Sequence, residues 1–199
     1  YMGIDVNNPA IAIINVTNPA SPSVTYAWQL DGKGNTPAVS GNYLYATAES
    51  SNNGFVVYNI SAVPTATDFV SVGAKVYTAI VNGSYAYLGV DTDNSGLRIM
   101  NISNPNNVIQ VASLDVGEEV KAIAISGIFA FLGTEDSNSA LKVVNISNPL
   151  SPTLVTSLDV GDQIQDLVIE GDYLYVAVDD QNAGLAAVNI QNPASPSVA

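Results

Sequence analysis

Val120-Lys-Ala-Ile-Ala-Ile-Ser126, Phe129-Ala-Phe-Leu-Gly-Thr134, Leu141-Lys-Val-Val-Asn-Ile146 and Thr153-Leu-Val-Thr-Ser-Leu158 make up the stretch that decides how the whole chain is read. Each segment is short, rich in aliphatic and β-branched residues, and bounded by turn formers: Gly127, the polar run 135–139, and Pro149 with Pro152. Segments of this kind predict four strands joined by tight turns. They are apolar on both faces, which suits a small sheet held between two similar sheets better than a sheet facing water. No window carries the spacing of an amphipathic helix.

The same pattern recurs along the chain. An aromatic at Tyr1, Tyr45, Tyr87, Phe131 and Tyr175 opens each copy, at spacings of 44, 42, 44 and 44 residues. An asparagine stands seven residues after each aromatic (Asn8, Asn52, Asn94, Asn138, Asn182) and another fourteen after it (Asn15, Asn59, Asn101, Asn145, Asn189). A four-stranded unit repeating at this length predicts an all-β, β-propeller-like fold of about five antiparallel blades, with strands A to D running outward from a central channel. A linear β-repeat array is the alternative.

The repeats span residues 1–44, 45–86, 87–130, 131–174 and an incomplete 175–199, within a single repeat domain covering 1–199. In strand terms they run BCD, then ABCD three times, then ABC with the start of D at Ser197 to Ala199. The chain is therefore expected to be a segment of a longer chain or assembly. Three arrangements remain open: most of a five-bladed ring, a window onto a longer array, or ends completed by a neighbouring chain, because unpaired strand edges invite strand addition.

The recurring Gly-x-Tyr/Phe at Gly41, Gly83, Gly127 and Gly171, together with Val144-Asn-Ile-Ser-Asn-Pro149, resembles the LVIVD repeat family. The resemblance covers the whole chain, although the Asp usual in that motif is Asn here. It implies a β-propeller-like fold of the kind common in secreted and surface proteins of bacteria and archaea, mostly without assigned chemistry.

Composition narrows the chemistry. The 199 residues include no Cys and no His, which excludes disulfides, thiolate nucleophiles, imidazole bases and Ser-His-Asp triads. At this length the chain buries roughly 70% of its unfolded surface without any staple. The one arginine, Arg98, argues against multi-arginine clamps for carboxylate or phosphate, and the net charge of −13 repels nucleic acid and anionic lipid. No stretch approaches the roughly 20 apolar residues of a membrane span, so neither a nucleic-acid partner nor a span is expected in this segment.

On the blade pattern, fourteen of the 18 carboxylates fall in the B–C and D–A loops, which share one end of the blades, with Lys33 and Lys75 among them. That end is expected to be strongly negative. Each repeat places an acid four residues after its aromatic, at Asp5, Glu49, Asp91, Glu135 and Asp179. Hard oxygen ligands on turns suit Ca²⁺, and Asp91-Thr-Asp93-Asn-Ser95-Gly96 matches the first half of an EF-hand loop while lacking its distal Glu and following helix. The other reading is that these Asx and Gly residues make hairpin turns and keep the surface soluble. A glycosidase would need acids at the channel, where Asp166 is the one acid in the middle of a strand A, against the uncharged Thr78 and Ala122.

The opposite end is nearly neutral. Acceptor sequons for N-linked glycans occur at Asn15, Asn59, Asn101 and Asn145 in strand C, and at Asn82 in an A–B turn. Asn189 keeps the asparagine although Gln191 destroys the sequon, so strand C is expected to need this amide for backbone hydrogen bonds that close the C–D turn. The strand B tyrosines are expected to pack between blades. Taken together, these features point to a non-catalytic extracellular or cell-surface module, structural or adhesive, in a surface layer, stalk or filament. It would associate with itself or with neighbouring repeats. A calcium-dependent, lectin-like propeller is the first alternative and a glycoside hydrolase a remote one.

Overall fold

The computed structural model describes residues 2–3, 11–50, 52, 54–92, 96–138, 140–179 and 184–199. The described residues form five antiparallel sheets, and none is helical. No helix is long and apolar enough to cross a membrane. The first sheet holds β1 (Met2–Gly3), β2 (Ile11–Asn15) and β3 (Ser23–Trp28), and the second β4 (Ala38–Ser40), β5 (Tyr43–Thr47), β6 (Phe55–Asn59) and β7 (Thr65–Val70). The third is β8 (Val76–Asn82), β9 (Tyr85–Val90), β10 (Leu97–Asn101) and β11 (Ile109–Leu114). The fourth is β12 (Val120–Ser126), β13 (Phe129–Thr134), β14 (Leu141–Asn145) and β15 (Thr153–Leu158). The fifth is β16 (Ile164–Glu170), β17 (Tyr173–Val178), β18 (Leu185–Asn189) and the two-residue β19 (Ser197–Val198). In each four-stranded sheet the strands are neighbours in chain order, as the A-to-D reading expects. Strand C stops at the asparagine, one residue before Ile146, because that side chain caps the turn.

The core lies between the sheets. Phe131, Leu141 and Val143 of the fourth sheet pack against Ile164, Leu167, Leu174, Val176 and Val188 of the fifth. One step back, Tyr87, Leu97 and Ile99 of the third sheet meet Ile123, Ala130, Leu132 and Val144 of the fourth. Tyr45, Phe55 and Val57 meet Ala86, Leu88 and Met100 in the same way, and Ile11 meets Leu44, Val56 and Tyr58. Alternation along strands B and C therefore sends odd positions forward to the next sheet and even ones back to the previous sheet, while in strand A Ile123 and Leu167 face back and Ala124 faces forward, so both faces are apolar. These are stacked, propeller-like blades.

The fifth sheet departs from the rule on its forward face. Leu185, Tyr175 and Val168 are 68%, 37% and 60% exposed, whereas their counterparts Leu141, Phe131 and Ala124 are 0%, 0% and 7% exposed. Tyr45 and Tyr87 are buried between blades as expected, but Tyr173 and Tyr175 are exposed. The sequence pattern is unchanged; what differs is that no described sheet covers this face.

Two register shifts repeat from blade to blade. One falls in the C–D ladder, between Val57 and Tyr58, Ile99 and Met100, and Val143 and Val144. The other opens strand A and leaves Tyr77, Lys121 and Gln165 without a ladder partner. A bulge of this kind bends the strand and re-aims the extra side chain, and these three residues reach the site described next.

Candidate functional site

The inner strands surround an open cavity of about 900 Å³. Its wall includes Asn35, Thr36 and Pro37 ahead of β4, Tyr77 to Ile80 of β8, Lys121 to Ile123 of β12, and Gln165 and Asp166 of β16. This is the channel expected from the blade pattern, seen along the second to fifth sheets. Asn35 Nδ2 donates to Val76 O at 2.9 Å and ties the segment ahead of β4 to β8.

The bulged residues build a charged cluster at the rim. Lys121 Nζ lies 3.4 Å above the Tyr77 ring centroid, 2.8 Å from Glu119 Oε2 and 2.9 Å from Glu135 Oε1. Tyr77 OH donates to the same Glu119 oxygen at 3.1 Å. Burial alone would pull the Lys121 ammonium down, but bonding to Glu119, Tyr77 and Glu135 carries it well above the ordinary lysine range, so it stays charged. Burial pushes the Tyr77 hydroxyl up. Hydrogen bonding with the Glu119 carboxyl holds Asp91 below the usual carboxylate range, with Lys75 adding to the effect against partial burial. The cluster spans the third and fourth sheets and acts as a polar clasp across their shared core.

Of the acids considered as calcium ligands, Asp5 and Asp93 lie outside the described residues. Glu49, Asp91 and Glu135 each pair with a lysine: Lys33 at 3.5 Å, Lys75 at 3.0 Å and Lys121 at 2.9 Å. Asp179 is exposed and its N–H donates to Gln163 O at 2.9 Å. Among the described residues no three potential metal ligands cluster. Other acids at this end cap turns: Asp115 Oδ1 and Asp159 Oδ1 each accept from the N–H of a glycine two residues on, at 2.8 Å. Those glycines, Gly117 and Gly161, sit at φ of 88° and 106°, where a side chain would be strained.

The expectation of two lysines among these acids is corrected by the geometry. Lys121 reaches this end from a bulge, and Lys142 reaches it from β14 to bond Asp136 at 2.9 Å. Asp166 also lines the channel, with its Oδ1 accepting from Leu167 N at 2.8 Å.

At the other end the strand C asparagines act as turn caps. The Oδ1 atoms of Asn15, Asn59, Asn101 and Asn145 accept the backbone N–H two residues on at 2.9 Å, and Asn189 does the same to Gln191 at 3.0 Å. Asn15 is exposed and the other four are half-buried, so these amides are more accessible than a buried cap would be. Sequence reasoning missed a second cap three residues later: Asn18, Asn104, Asn148 and Asn192 also accept a backbone N–H two residues on, at 3.2 to 3.3 Å. The Asn-Pro dipeptides at those positions were the available signal. Asn82 is exposed at the tip of the β8–β9 hairpin, beside Gly83 at φ 59°.

Comparison with solved structures places these sheets in a familiar fold. A Bacteroides uniformis protein assigned as a 6-phosphogluconolactonase superposes with a TM-score of 0.79 at 14% identity, covering 96% of this chain and 65% of that one. The computationally designed protein Ika4 matches with a TM-score of 0.63 at 15% identity, over 80% of this chain and 92% of that one. A chain of a nidogen/laminin complex matches at 0.63 and 10% identity, over 88% of this chain and 66% of that one. At such identities the likeness is one of fold. A search of the curated proteins found no match. The LVIVD repeat model matches four times, at residues 31–67, 76–116, 117–160 and 161–199, and so the chain belongs to the LVIVD repeat family.

Proposed function

We propose that this repeat module is a non-catalytic, extracellular or cell-surface element, structural or adhesive, of a surface layer, stalk or filament, and that it associates with itself or with neighbouring repeats. One observation carries the reading: the recurring polar side chains serve the scaffold. The repeated asparagines cap turns, Asp115 and Asp159 cap turns, and Glu49, Asp91 and Glu135 hold lysines. An enzyme of this fold would instead aim a few unrepeated groups at one point of the channel. The exposed Asn82 is the sequon best placed to carry a glycan, since its side chain is not committed to a C–D turn.

A second reading is favoured by the exposed Tyr173 and Tyr175, flat aromatic surfaces of the kind that hold sugar rings. In it the module binds carbohydrate, with calcium held by acids of the B–C loops. Two measurements on the native protein separate the readings. Protease shaving of intact cells should release the chain, and immobilised polysaccharides should fail to retain it in calcium. Protection until lysis contradicts the surface assignment. Retention that a chelator reverses replaces the structural reading with the lectin-like one.

A further inference from the structure

Asparagine recurs throughout this chain, and the fold protects most of its copies from a spontaneous reaction. A side-chain amide is lost when the next residue's backbone nitrogen attacks it, so each asparagine's fate depends on that nitrogen and on the bulk beside it. In strand C the nitrogen is already committed. Ile60, Ile102, Ile146 and Ile190 donate their N–H to Asn42, Ser84, Ile128 and Asp172 O at 2.8 to 2.9 Å. They follow Asn59, Asn101, Asn145 and Asn189, whose own Oδ1 atoms are held in turn caps. Asn18, Asn104, Asn148 and Asn192 precede proline, which has no N–H. Val108, after Asn107, donates its N–H to Asp68 Oδ2 at 2.7 Å, and the Asn35 amide is bonded to Val76 O.

Two asparagines precede glycine, Asn53 and Asn82. Asn53 lies outside the described residues, and its Gly54 is buried, where a Cβ would meet Ser50 O at 2.7 Å and Val76 Cγ2 at 2.9 Å. A backbone packed that closely has no room to rearrange. Asn82 is the reverse case. It is exposed at the tip of the β8–β9 hairpin, and among the described residues no hydrogen bond holds its amide. The ladder ends at the Asn82–Tyr85 pair, which leaves the Gly83 N–H in the turn, bonded to no described carbonyl. Gly83, at φ 59°, adds no side chain and has nothing within 4 Å of where a Cβ would stand. The same turn in the second, fourth and fifth sheets carries Ser40, Ser126 and Glu170 in place of Asn82, none with an amide to lose.

We propose that Asn82 is a self-modification site, at which the folded chain converts its own asparagine to aspartate or isoaspartate with water as the co-reactant. Gly83 N gives its proton to solvent base and bonds to Asn82 Cγ. The Cγ–Nδ2 bond then breaks, and the nitrogen takes a proton from water and leaves as ammonia. Water opens the resulting cyclic imide: at the Cγ carbonyl it gives aspartate, and at the main-chain carbonyl it gives isoaspartate, with an extra carbon in the backbone. Either product puts a negative charge on the nearly neutral end of the blades and destroys the Asn82-Gly-Ser84 sequon. A glycan already on Nδ2 opposes the step, because the departing nitrogen then carries the sugar. Residue 82 therefore records which modification came first. The inference stands on the hairpin alone and does not depend on where the protein resides.

The test uses the full 199-residue chain, made without glycans and held folded in mildly alkaline buffer. Cleavage after Lys75 and Arg98 releases residues 76–98, and the fragment masses assign any conversion to its residue. An acid should form at residue 82 about tenfold or more faster than at any other described asparagine, with the isoaspartate portion accepting methyl from an isoaspartyl methyltransferase. Glu170→Asn places the same dipeptide in the fifth sheet's hairpin, before Gly171 at φ 60° with the same open surroundings, and should convert at a similar rate. An amide at 82 that survives in the folded chain while the urea-unfolded chain converts there would overturn the proposal. Earlier conversion at Asn59, Asn101 or Asn145, or an inert Glu170→Asn, would overturn it as well.

Discussion

The fourth and fifth sheets carry nearly the same sequence and live in different surroundings. Phe129-Ala-Phe-Leu and Tyr173-Leu-Tyr-Val occupy the same strand, and Leu141 and Leu185 open the same neighbouring strand, but only the fourth sheet is covered on both faces. Burial in a stacked repeat is thus a property of the interface and not of the repeat. Stability in such an array is close to a sum of repeat terms and nearest-neighbour terms, and the fifth sheet lacks one neighbour term.

The largest contrast is expected between Leu141→Ala and Leu185→Ala. Emptying the buried site should cost about 2–5 kcal/mol, while the exposed site should change by about 0.5 kcal/mol or less. Urea unfolding of the two variants checks this, and equal losses would break the comparison.

A smaller effect sharpens it from the opposite side. Asn145→Ala and Asn189→Ala remove the same cap from the two sheets and should each cost about 1 kcal/mol, because a turn cap depends on its own loop and not on the neighbouring sheet. A marked difference between them would mean that the caps also sense the stacking.

The smallest effect is one of pH and belongs to the clasp between the third and fourth sheets. The Asp91 carboxyl is lowered in the folded chain, so its contribution is present above the unfolded carboxylate range and is lost as pH falls through the lower folded value. Stability should therefore drop on acidification below about pH 4, less steeply in Asp91→Asn. Lys121 is raised, so its contribution is complete below the ordinary lysine range and fades only in strong alkali. Urea midpoints measured across acidic pH for both proteins test the sign.

Much of the fold was legible because repetition multiplies weak signals. One copy of Gly127-Ile-Phe129 is an unremarkable turn, but the same spacing four times fixes blade length, strand order and turn positions together. The asparagine caps were legible for a related reason: Asn189 persists where its sequon does not, and the structure shows its Oδ1 on the backbone.

The clasp was not legible. Tyr77 and Lys121 stand 44 residues apart at equivalent bulge positions in consecutive blades, and nothing local marks an ammonium placed on a neighbour's ring. The open face was hidden for the opposite reason, since Tyr175 and Leu185 look like core residues in every local respect.

Because the chain contains no cysteine, single substitutions can report on this comparison directly. Leu141→Cys and Leu185→Cys, each treated with a thiol reagent under native conditions, measure how often the two faces open. The account predicts that Cys at 185 reacts at close to the rate of a free thiol, while Cys at 141 reacts only as fast as the chain unfolds. Equal protection at the two positions would contradict the open fifth face.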